Sequence, residues 1–569
     1  METAAIPLKK ETPHQTDKFR LPSLLNFWIN LPESVRHLLL IGTTGKNHLT
    51  RIAVETFNLC NKQQQPERVG FLVELISQLL LAAWEEDPLD VDTANQLWQW
   101  HCAYPFLDAH LASLVGAVCK QGLEAKDSSE NSSSLNKDHP VNIHLEEPFN
   151  LTLLEYRTAY WNKVSEGNYD DAIRLLQGTC WPMALDGLRH RYLASLYQVT
   201  CDYNRWEEAL YTKGALLSDF DRFLQLGNLA YAKGQRSRAL EMWCKCLAIR
   251  PWFTNLILRI YDVATGLDRL NMPLKGRIAI CLYTYNKASE LQKCLTSLAK
   301  SKLGTANIVL LINGCTDNTR EIARHWQNNL GLARLRIIDL PINIGAPAAR
   351  NWLMHDPQVK EADWVAYLDD DAIVPAHWLG ALGSAVKRYP NAGVWGLRVI
   401  DAKVPSTIQA VDYHILPPPY GNDPQNSPPF KLATLHYETI DLGQFNYLRP
   451  CIHVTGCCHL FSTKTLLESG DFDLRFSPSQ NDDLEHDFRL ALSGKPAVYQ
   501  GHLSVKHMNQ TAKGIRVNMK ERGNAQANLY KLYHKYTPEE YLELFRRNMA
   551  LIEQDFFQKL EEVVGYGPA

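Results

Sequence analysis

Between residues 277 and 373 the chain repeats one pattern: a short apolar run, a polar turn, then an apolar stripe at helical spacing. The run "RIAICLY" gives way to "TYNKAS", and Leu291, Cys294, Leu295 and Leu298 follow at helical intervals. "NIVLLINGCTDNTREIARHW" and "LRIIDLPINIGAPAARNWLMH" repeat the alternation, and "WVAYLDDDA" opens a fourth strand. Successive strand–turn–helix units require a parallel sheet covered on both faces. Ligands of such sheets bind beyond the carboxyl ends of the strands. The turns at that end carry Thr284 and Asn286, then Asn313 and Asp317, then Asn343, Gly345 and Arg350, and finally Asp369, Asp370 and Asp371. Four turns therefore converge on one site.

Three consecutive aspartates at the end of a buried strand repel one another and are costly to desolvate, so a positive partner is expected there. Alternation along a strand would send Asp369 and Asp371 to one side and Asp370 to the other. Two hard carboxylates on one side of a cleft suit Mg²⁺ or Mn²⁺, which keep phosphate oxygens among their ligands and neutralise a diphosphate leaving group. In isolation the triplet reads equally well as an acidic turn that caps the segment after it.

The ordered set "YTYN", "NGCTDNT", "NIGAPAARN", "YLDDDA", "VTGCCHLFSTKTLLESGDFDLRF", "NDDLEHDFRLALSGKPAVY" and "SVKH" resembles the family 2 glycosyltransferases over about residues 276–510. The resemblance implies an α/β fold of the GT-A, Rossmann-like type with a mostly parallel sheet, and a nucleotide-diphosphate-sugar donor. It places Thr284, Asn286, Asn313, Asp317, Arg350, Asp369 and Asp370 at the donor. Asp369, Asp371 and His507 would hold a divalent metal, Mn²⁺ or Mg²⁺. Asp483 matches the general base, with Asp482 as its substitute. Two positions depart from the family pattern: Ile312 stands where many members have an acid beside the nucleotide base, and Glu485 replaces a common Asp.

Local sequence bears on the base. Leu484, Phe488, Ala491 and Leu492 recur at helical spacing, Gly494 and Pro496 mark a stop, and Asp482 and Asp483 fall in the first turn. The helix dipole keeps a carboxylate there ionised, ready to accept a proton from an attacking hydroxyl. Acids in a first turn are also ordinary helix-start signals, and Glu485 with Arg489 fits a routine i,i+4 pair.

A chain of 569 residues needs more than one core. Residues 1–123 read as a helical region and 124–149 as a polar linker. Residues 150–270 read as degenerate tetratricopeptide-like repeats, 271–515 as the catalytic domain and 516–569 as a C-terminal helical extension. In the repeats, Leu226, Gly227, Ala239, Trp243 and Pro251 fall at the repeat offsets. That region is either a helical spacer or a concave surface for a protein or glycan acceptor. "IGTTGKNHLT" imitates a phosphate loop but lacks its glycine spacing and has Asn47 where Ser or Thr should stand.

"FLVELISQLLLAAW", at 71–84, is short for a bilayer span and carries Glu74, so a core helix is expected and any membrane contact is at most peripheral. The net charge of −3 gives no indication of nucleic acid. Thirteen scattered cysteines, without paired CxxC spacing or a secretory pattern, point to a reduced, cytoplasmic protein. Cys457 and Cys458, adjacent in a strand, should face opposite sides and give no zinc site, with Gly456 allowing an acceptor close to the backbone. His414, His436, His453 and His502 read as structural, and the proline-rich excursion 404–450 as a lid, an acceptor loop or a surface loop.

The reading is a metal-dependent, inverting glycosyltransferase acting on a hydroxyl of a glycan or protein. A nucleotidyltransferase acting on sugar phosphates and an inactive repeat scaffold are the competing readings. A nucleotidyltransferase should carry a glycine- and basic-rich loop after its first strand, where "YTYNKASEL" offers only Lys287.

Overall fold

The computed structural model describes residues 22–127, 152–212, 217–417, 427–509 and 519–564. The helix Ala109–Asp127 runs into the stretch read as a polar linker, whose remainder, like the proline-rich stretch 418–426, lies outside them.

The strands of the C-terminal half are β1 (Ile278–Thr284), β2 (Asn307–Asn313), β3 (Leu335–Leu340), β4 (Trp364–Leu368) and β5 (Ala372–Ile373). After them come β6 (Val394–Asp401), β7 (Ile408–Ala410), β8 (Leu448–Cys451), β9 (Cys458–Ser462) and β10 (Ala497–His507). They form one mixed sheet in the order β3-β2-β1-β4-β9-β6-β10-β5, with β7 on β6 and β8 on β10. β3, β2, β1 and β4 pair in parallel, as the alternation predicts. β9 then enters antiparallel between β4 and β6, so β6 and β10 run with the first four. This mixed, mostly parallel arrangement is the GT-A-like α/β class.

β1 is buried on both faces, and its side chains divide two cores. Ile278, Ile280 and Leu282 pack with Ile308, Leu310, Leu291 and Leu295 on one face. Ala279 and Cys281 face the other way, into a core shared with Trp28, Trp252 and Phe556. The sheet's own helix Ala346–Met354 packs on β1 and β2 from that side, and helices from far outside the sheet join the same core and meet the sheet at β8.

Those helices begin with Pro22–Asn30 and Glu33–Ile41 and continue through a helical array to Thr254–Thr265. The region read as repeats is helical, with Asp219–Ala232 packed on Arg236–Ile249. Gly227 allows that approach, because an added Cβ would lie 2.4 Å from Trp243 Cδ1. The apolar stretch at 71–84 falls in the helix Pro66–Glu86, whose Leu75, Ile76 and Leu79 are buried in the core. Among the described residues, no helix is long and apolar enough to cross a membrane.

Carboxylates occupy the imitation phosphate loop. Glu86 Oε1 accepts from Gly45 N at 3.3 Å, Glu438 Oε2 from Asn47 N at 2.9 Å, and Lys46 pairs with Asp90. The C-terminal helix Pro538–Val564 packs against Pro22–Asn30, Glu33–Ile41, Thr254–Thr265 and β8.

Candidate active site

The four turns do meet at one end of the sheet, and much of their polarity laces them together. Asn286, at φ 52°, accepts from Thr316 N at 2.7 Å, which ties the turn after β1 to the turn after β2. Asp317 accepts from Ala288 N at 3.1 Å and from Thr319 N at 3.1 Å. Asn313 Oδ1 accepts from Ile344 N at 2.9 Å, and its amide donates to Asn343 Oδ1 at 3.0 Å. Gly314, at φ 69°, passes so close to the next turn that an added Cβ would lie 2.3 Å from the Ile342 carbonyl carbon. Ile312 is buried in the sheet core. Thr284 is buried at the end of β1.

β4 ends at Leu368, so strand alternation stops before the three aspartates, which occupy a turn. This corrects the expectation that Asp370 would point away from both neighbours. Lys287 Nζ lies 3.1 Å from Asp370 Oδ1 and 2.9 Å from Asp371 Oδ2. It supplies the positive partner, together with His507, whose Nε2 is 2.9 Å from Asp371 Oδ1 and 3.8 Å from Asp369 Oδ2. The β5–β10 pairing sets His507 opposite Ala372, and Gln409 Oε1 fixes the ring through Nδ1 at 2.8 Å.

Burial, reinforced by the Asp371 charge, raises Asp369 to about 6, and burial raises Asp370 to about 6 against the pull of Lys287. Burial acts in the same direction on Asp371, but His507 and Lys287 outweigh it and hold that carboxyl below its ordinary value. Asp371 Oδ1 is buried and receives no aligned hydrogen bond.

A second acidic cluster stands at the start of the helix Asp482–Leu492. Asp482 pairs with Arg350, which is buried between the rings of Tyr283 and Phe472 at 5.5 and 5.4 Å. Asp483 Oδ2 accepts from Gly456 N at 2.7 Å and Oδ1 from Leu484 N at 2.9 Å. Burial opposes ionisation of Asp483, but His453, Arg350 and the Gly456 N–H outweigh it and lower its pKa. Burial raises Asp482 despite Arg350. An added Cβ on Gly456 would lie 2.6 Å from Arg350 Nη2 and 2.9 Å from Asp483 Oδ2, so the missing side chain makes room for these two groups.

The segment 454–457 joins the clusters. Val454 N donates to Asp487 at 3.2 Å, Gly456 N to Asp483, and Cys457 O accepts from Asp369 N at 2.9 Å. Glu485 turns away, binding Arg489 as expected and also Lys535 and Tyr536 near the C-terminus. His414 is held by Asp412, His502 by Asp262 and His453 by Asp487, each through a side-chain contact. Lys287 and Cys457 are the site residues that sequence reasoning did not assign. The lone basic residue in the first turn was the available signal for Lys287.

Residues 279–464 match the model of glycosyl transferase family 2. They are a glycosyltransferase family 2 domain. Two curated relatives resemble parts of the chain. An uncharacterized glycosyltransferase, YibD of Escherichia coli K12, is 29% identical over 101 residues, covering 18% of this chain and 28% of its own length. The N-acetylglucosaminyl-diphospho-decaprenol L-rhamnosyltransferase of Mycobacterium tuberculosis is 23% identical over 249 residues, covering 40% of this chain and 75% of its own length.

Among solved structures, a mannosyltransferase of Pyrobaculum calidifontis in complex with GDP-Man and Mn²⁺ is 16% identical with a TM-score of 0.33, over 57% of this chain and 85% of its own. GalNAc-T7 with UDP, GalNAc and Mn²⁺ is 12% identical with a TM-score of 0.32, over 52% and 56%. The glycosyltransferase domain thus contains β1 to β9 and both acidic clusters' contacts to 454–457, while Asp482, Asp483 and His507 lie beyond the matched residues.

Proposed function

We propose that this protein is a divalent-metal-dependent, inverting glycosyltransferase. It moves a sugar from a nucleotide-diphosphate-sugar to a hydroxyl of a glycan or protein acceptor. The observation that carries the reading is the pairing of two acidic clusters across one short segment, one suited to a cation and the other to a proton.

The donor set fits Mn²⁺ or Mg²⁺. Asp371 Oδ1 is buried without an aligned hydrogen bond, 2.9 Å from His507 Nε2, and Asp369 Oδ2 lies 3.8 Å from the same nitrogen. Hard oxygens with one imidazole are the ligand types such ions take. Gln409 fixes the His507 ring from its other nitrogen, the usual outer-shell support. When bound, the ion would neutralise charge on the leaving diphosphate.

This chain's own groups do the rest. Asp483 is the better base: it is held ionised, whereas Asp482 is bound to Arg350. Each Asp483 oxygen takes one backbone N–H, which orients the carboxylate and leaves lone pairs for an acceptor hydroxyl. The hydroxyl oxygen attacks the anomeric carbon, its proton passes to Asp483, and the carbon–phosphate oxygen bond breaks. One displacement inverts the anomeric centre. Thr284, Asn286, Asn313 and Asp317 shape the donor's floor, and Arg350 adds positive charge between the clusters. All thirteen cysteines are free, which supports a reducing, cytoplasmic setting.

The test is thermal stabilisation by a panel of nucleoside diphosphates with and without Mn²⁺, in the wild type and in Asp371→Ala, followed by the anomeric configuration of product. Binding to the folded state raises the melting temperature. A shift that needs metal and Asp371 is expected. No shift with any nucleotide favours the inactive scaffold, and a product of retained configuration overturns the single displacement.

A further inference from the structure

The connecting segment puts a sulfur beside the cation site. One donor atom each from Asp369, Cys457 and His507 lies within 4.8 Å of the other two. They arrive on three different elements: the turn after β4, the residue before β9 and the end of β10. Cys457 is held there by its own backbone, whose carbonyl accepts from Asp369 N at 2.9 Å, and its side chain is buried. β9 begins at Cys458, so Cys457 stands in the turn before the strand, not on a strand face as the sequence suggests, and that turn brings it to the acids.

We propose that Cys457 Sγ is a ligand of the cation site, making it a mixed oxygen, nitrogen and sulfur centre that prefers thiophilic ions such as Co²⁺, Zn²⁺ and Cd²⁺ over Mg²⁺. This rests on the reading of Asp369 and His507 as metal ligands. Bonds of about 2.0–2.3 Å place ligand atoms roughly 3.5 Å apart, so modest side-chain rotation closes the three donors onto one ion. Thiolate is a soft donor that selects against Mg²⁺, whereas carboxylate alone does not. Cys457 binds as thiolate and His507 as neutral imidazole through Nε2, and both protons leave to solvent. Gln409 keeps the ring nitrogen that faces the site available.

The experiment is a Co²⁺ titration of the full chain followed by absorption, with Cd²⁺ and Mg²⁺ affinities by calorimetry, on the wild type, Cys457→Ser and Asp369→Asn. The wild type should show a near-ultraviolet sulfur-to-cobalt charge-transfer band. Cys457→Ser should lose the band. Asp369→Asn should lose it too, since a stray surface thiol would be indifferent to that carboxylate. Loss of an outer-shell partner alone costs about 10–100-fold in metal affinity, so Cys457→Ser should weaken Cd²⁺ by at least about tenfold and Mg²⁺ far less.

Any of four results overturns the proposal: cobalt bound without the band, a band that survives in either variant, equal losses for Cd²⁺ and Mg²⁺, or no cobalt binding. A wild type that gives Mn²⁺-dependent nucleotide stabilisation but no sulfur band sinks this inference and leaves the proposed function standing.

Discussion

Lys287 shows how single residues set this site. It contacts both Asp370 and Asp371, so the chain carries its own counter-cation. Replacing Lys287 by Met leaves two buried carboxylates short of a charged donor, which costs about 1–3 kcal/mol. The Lys287→Met protein should melt below the wild type in metal-free buffer, and Mn²⁺ with a nucleoside diphosphate should narrow the gap. Equal melting in metal-free buffer would remove Lys287 from this role. Gly456 makes the complementary case. Its Cα lies where Arg350 and Asp483 meet, so Gly456→Ala must push one or both aside. Displacements of about 1 Å at a catalytic group cost on the order of 100-fold in rate. We expect about that loss in turnover, with circular dichroism unchanged.

At the scale of elements, the helix Asp482–Leu492 is fixed by His453 Nδ1 on Asp487 Oδ2 at 2.7 Å. Burial opposes protonation of His453, but Asp487 outweighs it and raises its pKa above the ordinary 6.5. A raised histidine stabilises the fold fully below 6.5 and loses that contribution as pH rises through the raised value. Asp487→Asn should therefore destabilise most near pH 6.5, by about 1–3 kcal/mol, and least at pH 9. Urea titrations at the two pH values decide it, and an equal loss at both would refute the ion pair.

The sequence made some of this scale legible and hid the rest for a physical reason. The parallel quartet β1–β4 and the first turn of the 482–492 helix are written in local periodicity, which survives without tertiary context. β9 slips antiparallel between β4 and β6 through partners about 60 to 100 residues away, and no periodicity encodes that order. Lys287 meets Asp371 across 84 residues, and Glu485 meets Tyr536 across 51. Cys457 reads as part of a strand but stands in the turn before β9, and its neighbours come from elements far along the chain.

At the scale of the whole molecule, the core behind the sheet's second face is shared between the sheet's own helices and helices from distant parts of the chain. Ala279, Cys281, Val309 and Leu311 share one core with Trp28 and Leu39 from the beginning of the chain, Trp252 and Leu256 from its middle, and Met549 and Phe556 from its end. Phe556 is the junction, with its ring 4.4 Å from Trp28. Lys559, fully buried, pairs with Asp555 at 2.8 Å and donates to Leu448 O on β8. A buried cation anchored in this way ties the last helix to the sheet, because separating them would strand a charge. The catalytic sheet and the helical regions should therefore unfold together. Calorimetry of the full chain should show one transition, and Phe556→Ala, at about 3–5 kcal/mol, should lower it as a unit. A fragment of residues 271–515, stripped of these helices, should expose the apolar surface they cover around β8 and aggregate. Two resolved transitions, with Phe556→Ala moving only one, or a soluble fragment that still binds nucleotide with Mn²⁺, would show instead that the catalytic domain stands alone.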